Sequence, residues 1–294
     1  MSTLGDLFLT YQSVISFVGI DALLALSVYA TLCCGQLSLA NAGFMAIGAY
    51  AAALLTLHTK LPFAAVLLAS ALAPAVFAVP LGLPVLRLRG IFLAIATIGF
   101  GEVVRLALVN WDYTNGALGL VAIPQRAQLW TIYLVLVIAL FLFSRLRGSK
   151  IGYALESIRE DETAARTMGI NTTLAKLSMF VFGAALAGVA GGLEAHFTFM
   201  VAPSGYGFSR VVDMLVYAVV GGVATYLGPP VGAAFMTLLP EVLRGLGESV
   251  GLAPGPLRLF VSGAILLAVV LFLPNGIISL PLLFAAVRMR RERG

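Results

Sequence analysis

Long apolar runs separated by brief polar breaks fill this chain. A helix that crosses a bilayer needs about twenty largely apolar residues, somewhat fewer where neighbours support it. That rule picks out residues 14–32, 42–58, 62–86, 91–109, 129–144, 177–197, 211–225, 229–245 and 257–274. The pattern predicts an all-α protein: a polytopic integral membrane helical bundle of about nine (eight to ten) transmembrane helices, forming one transmembrane domain over residues 1–294. One stretch departs from it. Residues 145–176 form the only long polar segment, holding six of the eighteen Lys and Arg residues. Inside it, residues 153–168 lack Gly and Pro and carry good helix formers, with Leu155, Ile158, Ala165 and Met168 spaced to leave one narrow apolar stripe. Gly169 supplies a C-terminal stop, and Asn171-Thr172-Thr173 offers an N-cap for the next run. The expectation is a short amphipathic helix between two membrane helices, wet on one side. It is either a solvated connection or a docking element for a partner outside the membrane.

Composition excludes a soluble domain. Hydrophobic residues make up 61% of the chain and charged residues 11%, against about 25% charged in soluble proteins, too few to build a water-facing surface. The net charge of +5 therefore says nothing about nucleic acid; the distribution of the charges does the work. With 145–176 cytoplasmic, Arg87, Arg89 and the tail arginines Arg288, Arg290, Arg291 and Arg293 fall on the same side, so twelve of the eighteen basic residues are inside. Lys60, Arg126, Arg210, Arg244 and Arg258 fall outside or at outer ends, and Arg105 in a span. Nine crossings put the N-terminus outside; a re-entrant segment at 33–43 would reverse that end. No basic residue precedes the first apolar run and no small-residue cleavage site follows, so no cleaved signal peptide is expected.

Polar residues at membrane depth are the candidate chemistry. Gly35 to Gly43 places Gln36, Ser38 and Asn41 between two glycines. Broken backbone is tolerated there only where it is buried in protein or lines a watery cavity. The segment is therefore either a tight inter-helix turn or a discontinuous helix on a solute path. Pro74, Pro80 and Pro84 predict a kinked or broken third span. Glu102 and Arg105 share a helix face, as a structural pair or as contacts for a charged solute. Residues 110–120 are turn-forming and aromatic, suiting an outer interfacial loop. Gly188 and Gly192 form a GxxxG pair, read as packing. Glu194 and His196 lack the partners a metal site needs, and the adjacent Cys33 and Cys34 read as small packing residues. No P-loop, G-x-S-x-G elbow or H-E-x-x-H is present, so the chain is not read as an enzyme.

The order Glu156…Arg159-Glu160-Asp161-Glu162…Ala164-Ala165…Met168-Gly169-Ile170 resembles the cytoplasmic coupling segment of ABC importer permeases, in particular the M-type subunit of the branched-chain amino acid importers. Gly35-Gln36-Leu37-Ser38-Leu39-Ala40-Asn41-Ala42-Gly43-Phe44…Gly48-Ala49-Tyr50 is similar to that family's first signature. There the family more often has Gly-His in place of Ala40-Asn41, a departure that bears on substrate choice. Leu86 to Phe92, Ala94 to Thr97, Phe100-Gly101-Glu102, the frame Thr114, Gly116, Gly119 and Leu120, and the Gly-rich run before Glu194 follow the same pattern. So do Pro203-Ser204, the run Val219 to Ala233, Pro240-Glu241 and Phe272 to Gly276. The resemblance covers residues 20–280.

That resemblance implies a transmembrane subunit of an ATP-driven ABC importer for branched-chain or other small amino acids, in the cytoplasmic (inner) membrane of a bacterium with its C-terminus cytoplasmic. It implies a second, H-type permease as heterodimer partner, two ATPase subunits and an extracytoplasmic solute-binding protein. No cofactor is implied in this chain; ATP and Mg belong to the ATPases. Glu156, Arg159, Glu160, Asp161, Glu162, Ala164, Ala165, Met168 and Gly169 would couple to an ATPase. Gln36, Ser38, Asn41, Thr97, Glu102, Arg105 and Thr114 are candidates for the substrate path, where neutral groups suit a hydrogen-bonding solute. Two rivals stand beside this reading: the same architecture moving urea, short amides or aromatic and organic acids, and an ion-gradient carrier with Glu102, Asp213 or Glu194 titrating.

Overall fold

In a computed structural model of the chain the apolar runs become helices that alternate in direction. The structure describes residues 2–88, 90–250, 263, 267, 271, 276 and 277; the expected ninth span at 257–274, Arg89 and the tail arginines lie outside the described residues, apart from those isolated positions. The helices are α1 (Ser2–Leu32), α2 (Asn41–His58), α3 (Phe63–Val85), α4 (Ile91–Val109), α5 (Leu129–Arg147), α6 (Lys150–Glu160), α7 (Glu162–Thr167), α8 (Thr172–Thr198), α9 (Phe208–Gly221) and α10 (Gly228–Val250). Among the described residues there is no strand, only one isolated antiparallel bridge between Leu120 and Val201. Among the described residues six helices are long and apolar enough to cross a membrane: α1 over Tyr11–Leu32, and α2, α3, α4, α5 and α8. At fourteen residues α9 is about 21 Å long, short of the hydrocarbon core.

Direction follows from the contacts at each end. Phe17 meets Phe197 edge to face at 5.4 Å, while a Cβ on Gly183 would press on Ser27, so α1 and α8 run antiparallel. Thr56 on α2 bonds His196 near the end of α8 at 2.8 Å, and Gly82 near the end of α3 lies against Leu177 near the start of α8. The polar helices α6 and α7 sit at one end of the bundle. At the other end His58 stacks on Tyr113 at 5.5 Å and Arg126 donates to the Leu61 carbonyl at 2.9 Å. Gly35, past the end of α1, abuts the Arg159 backbone of α6. The break at 33–40 therefore joins α1 to α2 at the α6–α7 end, and α1 begins at the opposite end.

Burial separates the helices of the core from those at its edge. α1, α2 and α8 are largely buried, and Ala and Gly dominate α2 and α8. α3, α4 and α5 expose Leu68, Leu72, Phe77, Ile91, Phe92 and Phe141, the large apolar side chains that lipid accepts. Backbones touch where α2, α3 and α8 cross. A Cβ on Gly48 would run into the Gly188 backbone, and one on Gly188 would run into the Ser70 carbonyl. Pro74 is what strips Ser70 O of its helical N–H donor, and Gly188 covers that oxygen. With the freed carbonyl covered, α3 continues through Pro74, Pro80 and Pro84 as one helix, so of the kinked or broken span expected the break is absent. A second close crossing joins α9 to α10, with Gly221 against Gly228 and Gly232. This explains physically the Gly-rich run from Val219 to Ala233.

Candidate functional site

The polar segment is built as two rods and a hinge. Ser149 caps α6, its Oγ accepting from the Gly152 N–H at 3.3 Å. Leu155 and Ile158 are buried against the bundle while Glu156, Arg159 and Glu160 are exposed. The single helix expected over 153–168 is instead broken at Asp161, whose backbone is extended (φ −151°, ψ 106°). Its Oδ1 accepts from Thr163 N–H at 2.8 Å and Ala164 N–H at 3.1 Å. An Asp that satisfies the first free N–H groups of a new helix favours starting one there over continuing the old one. The break also rotates the apolar stripe out of register: Ala165 is buried, but Met168 is 82% exposed. Gly169 takes φ +83° as the stop, and the Asn171 side chain caps α8, accepting from Leu174 N–H at 3.1 Å.

Glu162 locks this segment to the bundle. Its carboxylate pairs with Arg166 at 2.6 Å and with Lys176 of α8 at 2.8 Å, and Thr172 Oγ1 donates to it at 3.3 Å. Partial burial works against its charge, yet the Lys176 ammonium and Arg166 guanidinium hold the carboxyl below the usual carboxylate range. Of the residues expected to meet an ATPase, Glu156, Arg159, Glu160, Ala164, Met168 and Gly169 are therefore exposed, Asp161 holds the hinge, and Glu162 and Ala165 hold the segment in place.

The candidate substrate-path residues fall in three places. Gln36, Ser38, Asn41 and Thr97 are buried around the 33–40 break. Asn41 Nδ2 donates to Ser27 Oγ at 2.8 Å, Leu39 N–H donates to Thr97 Oγ1 at 2.9 Å, and Thr97 Oγ1 donates back to the Leu93 and Ala94 carbonyls. Glu102 and Arg105 pair at 2.7 Å, half-buried on α4 beside Gly207. Thr114 is fully buried in a 3-10 turn, donating to the Leu108 and Trp111 carbonyls.

A charged group that the sequence reading missed lies inside the bundle. Arg210 on α9 sends Nη2 to Glu194 Oε1 of α8 at 3.1 Å and to Asp21 Oδ1 of α1 at 3.3 Å. Thr237 of α10 donates to Asp21 Oδ2 at 2.9 Å. The side chains of Asp21, Arg210 and Glu194 are 5%, 16% and 18% exposed. Arg210, expected outside or at an outer end, thus ties three helices together. Asp21 Oδ1 and Arg210 Nε are buried without a hydrogen bond among the described residues, so the Asp21 pair is close but poorly aligned. Two acids and one base stranded in separate apolar runs were the available signal, because ionisable groups at such depth find partners.

These features match known proteins along nearly the whole chain. The family model described as branched-chain amino acid transport system / permease component matches residues 10–270. The chain belongs to that permease family. It is 31% identical over 281 residues to the high-affinity branched-chain amino acid transport system permease protein LivM of Salmonella typhimurium, covering 84% of this chain and 64% of the relative. To LivM of Escherichia coli it is 30% identical over 307 residues, covering 92% and 69%. To the permease protein LivH of the same organism it is 31% identical over 159 residues, covering 53% and 48%. The permease thus spans about two thirds of the length of these LivM proteins. No solved structure matches it. The family is one of transport permeases, and the apolar helices of this member make it a multi-pass membrane protein.

Proposed function

We propose that this permease is the transmembrane subunit of an ATP-driven importer for branched-chain or other small amino acids, forming the solute path with a second, H-type permease. Two separate ATPase subunits bind and hydrolyse ATP with Mg, and an extracytoplasmic protein delivers the solute. α6 and α7 lie on the cytoplasmic side of the inner membrane, as does the C-terminus. What carries the reading is the mechanical wiring of the polar segment. Arg159 abuts Gly35, so a push on α6 meets the break at 33–40, and from there α4 through Thr97 and α1 through Asn41 and Ser27. Glu162 transmits motion of α7 to α8 through Lys176. Two short helices packed on the end of the bundle, one in contact with its broken, buried turn and the other ion-paired to α8, suit the transfer of ATPase closure to the solute path. The neutral hydrogen-bonding groups at that turn agree with a zwitterionic or amide-bearing solute.

The test is solute-stimulated ATP hydrolysis by the co-purified complex in liposomes. Glu160→Lys and Met168→Glu alter exposed positions and are expected to lower stimulation at least tenfold while the fold survives. Asp161→Ala is a poor probe of docking, because it removes the cap of α7. Undiminished stimulation in both surface variants would exclude this segment as the coupling element. Uptake that follows a proton or sodium gradient instead of ATP would restore the ion-gradient carrier.

A further inference from the structure

A cavity lies beneath α6, on the side of that helix that faces the bundle. It has a volume of about 60 Å³ and lies, partly open to solvent, between the ends of α1 and α5, the inner side of α6 and the turn joining α9 to α10. Its walls are apolar where Phe143 and Leu155 are buried, and polar where the Tyr29 and Tyr226 side chains line it. Arg147 and Arg159 line its mouth, and both are exposed. Neither makes an ion pair among the described residues, whereas Arg105, Arg166, Lys176 and Arg210 all do. Arg147, Glu156 and Arg159 all line this one volume.

We infer that the mouth of this cavity binds the phosphate of an acidic phospholipid's headgroup. Two guanidiniums present planar, bidentate donors matched to a phosphate's oxygens. Basic pockets between membrane helices at the bilayer surface are places where phospholipid headgroups lodge. Phe141 and Leu142 of α5, the helix that also carries the cavity-lining Phe143, Leu146 and Arg147, are exposed and give acyl chains an apolar track. With Arg147, Arg159 and Glu156 the site has a formal charge of +1, which favours a headgroup of net charge −1. The Glu156 carboxylate accepts hydrogen bonds from the glycerol hydroxyls of phosphatidylglycerol, while preference over the zwitterionic phosphatidylcholine, whose cation Glu156 attracts, rests on the net charge of the site. A lipid seated here bridges α5, α6 and the α9–α10 turn, and so sets how firmly α6 rests on the bundle.

Native mass spectrometry of the purified full-length protein with its co-purifying subunits tests this, after delipidation and addition of phosphatidylglycerol or phosphatidylcholine with the same acyl chains. The wild type is expected to retain phosphatidylglycerol at least fivefold better. Arg147→Gln and Arg159→Gln are each expected to lower that retention about fivefold, and together 20- to 30-fold. Arg145→Gln removes the same charge from a guanidinium that instead lies 5.1 Å over the Phe141 ring, and is expected to change retention less than twofold. The double variant Arg147→Lys/Arg159→Lys keeps the charge but not the bidentate fork, so it is expected to retain phosphatidylglycerol better than the Gln pair and less well than the wild type, which separates loss of the site from loss of the fold. Equal retention of the two lipids by the wild type overturns the inference. So does displacement of phosphatidylglycerol by millimolar inorganic phosphate, which would make the site one for a soluble anion. Because the readout needs no ATP and no transport, failure here leaves the coupling scheme standing, and failure of that scheme leaves this site standing.

Discussion

Replacing Arg210 with Met tests whether the buried charges hold the bundle together. The guanidinium is the only base in contact with Asp21 and Glu194 among the described residues, and the two carboxylates are nearly enclosed. Removing one member of a buried ionic group leaves uncompensated charge, at a cost of about 3–5 kcal/mol. Unfolding entropy of about 2.1 cal/mol/K per residue gives about 0.6 kcal/mol/K for 294 residues. The variant is therefore expected to lose about 5–8 °C in thermal midpoint, followed in nanodiscs by intrinsic fluorescence. The triple variant Asp21→Asn/Arg210→Met/Glu194→Gln removes all three charges and is expected to recover at least half of that loss. An Arg210→Met midpoint within 1 °C of wild type would refute the claim that the triad stabilises the fold. A triple variant as unstable as the single one would show that packing of the long side chain, and not unpaired charge, sets the cost.

Other predictions rest on separate contacts. Gly188→Ala forces a Cβ into the Ser70 carbonyl and the Pro74 ring and is expected to cost about 1–3 kcal/mol, visible as a lower midpoint and a lower yield of assembled protein; an unchanged midpoint would mean that the three-helix crossing is loose. Asp161→Ala is expected to fray α7 at a cost of about 1 kcal/mol, read as faster trypsin cleavage at Arg166; an unchanged rate would deny the capping role. Because Glu162 is depressed in the folded state, its contribution is complete above its unfolded value of about 4.3 and is lost as pH falls through the lower folded value. Glu162→Gln is then expected to be less stable than wild type at pH 7, with the gap closing between about pH 5 and pH 3; a gap independent of pH would rule out the ionic mechanism.

The helical layout was legible because lipid demands long apolar runs. Runs expected at 42–58, 62–86, 91–109 and 129–144 appear as α2 to α5 with ends shifted by at most three residues. Family membership was legible from ordered motifs spread along the chain. The polar segment was legible as an exposed amphipathic element but not as two helices. Periodicity carries one stripe through Met168, and only the capping contacts of Asp161 interrupt it. The triad was hidden for another reason: pairing between residues on α1, α8 and α9 depends on tertiary packing that no local window contains. Gln36, Asn41 and Thr97 were recognisable as polar groups at depth, while their partners, a serine one helix away and a backbone N–H, were not.

The order in which the triad is synthesised adds a constraint on how the protein is made. Asp21 leaves the ribosome 173 residues before Glu194 and 189 before Arg210. At about 5–20 residues per second that is a wait on the order of 10–40 s. During it α1 crosses or borders the bilayer carrying an acid whose insertion costs about 3 kcal/mol at mid-helix and whose counter-charge does not yet exist. The Leu- and Ala-rich remainder of α1 offsets that cost until α9 arrives. Arg210 then docks against an acid already in place, which makes the entry of α9 the step that neutralises Asp21, before α10 adds the Thr237 hydrogen bond, and leaves a chain truncated before α9 with an orphaned charge for membrane quality control to find.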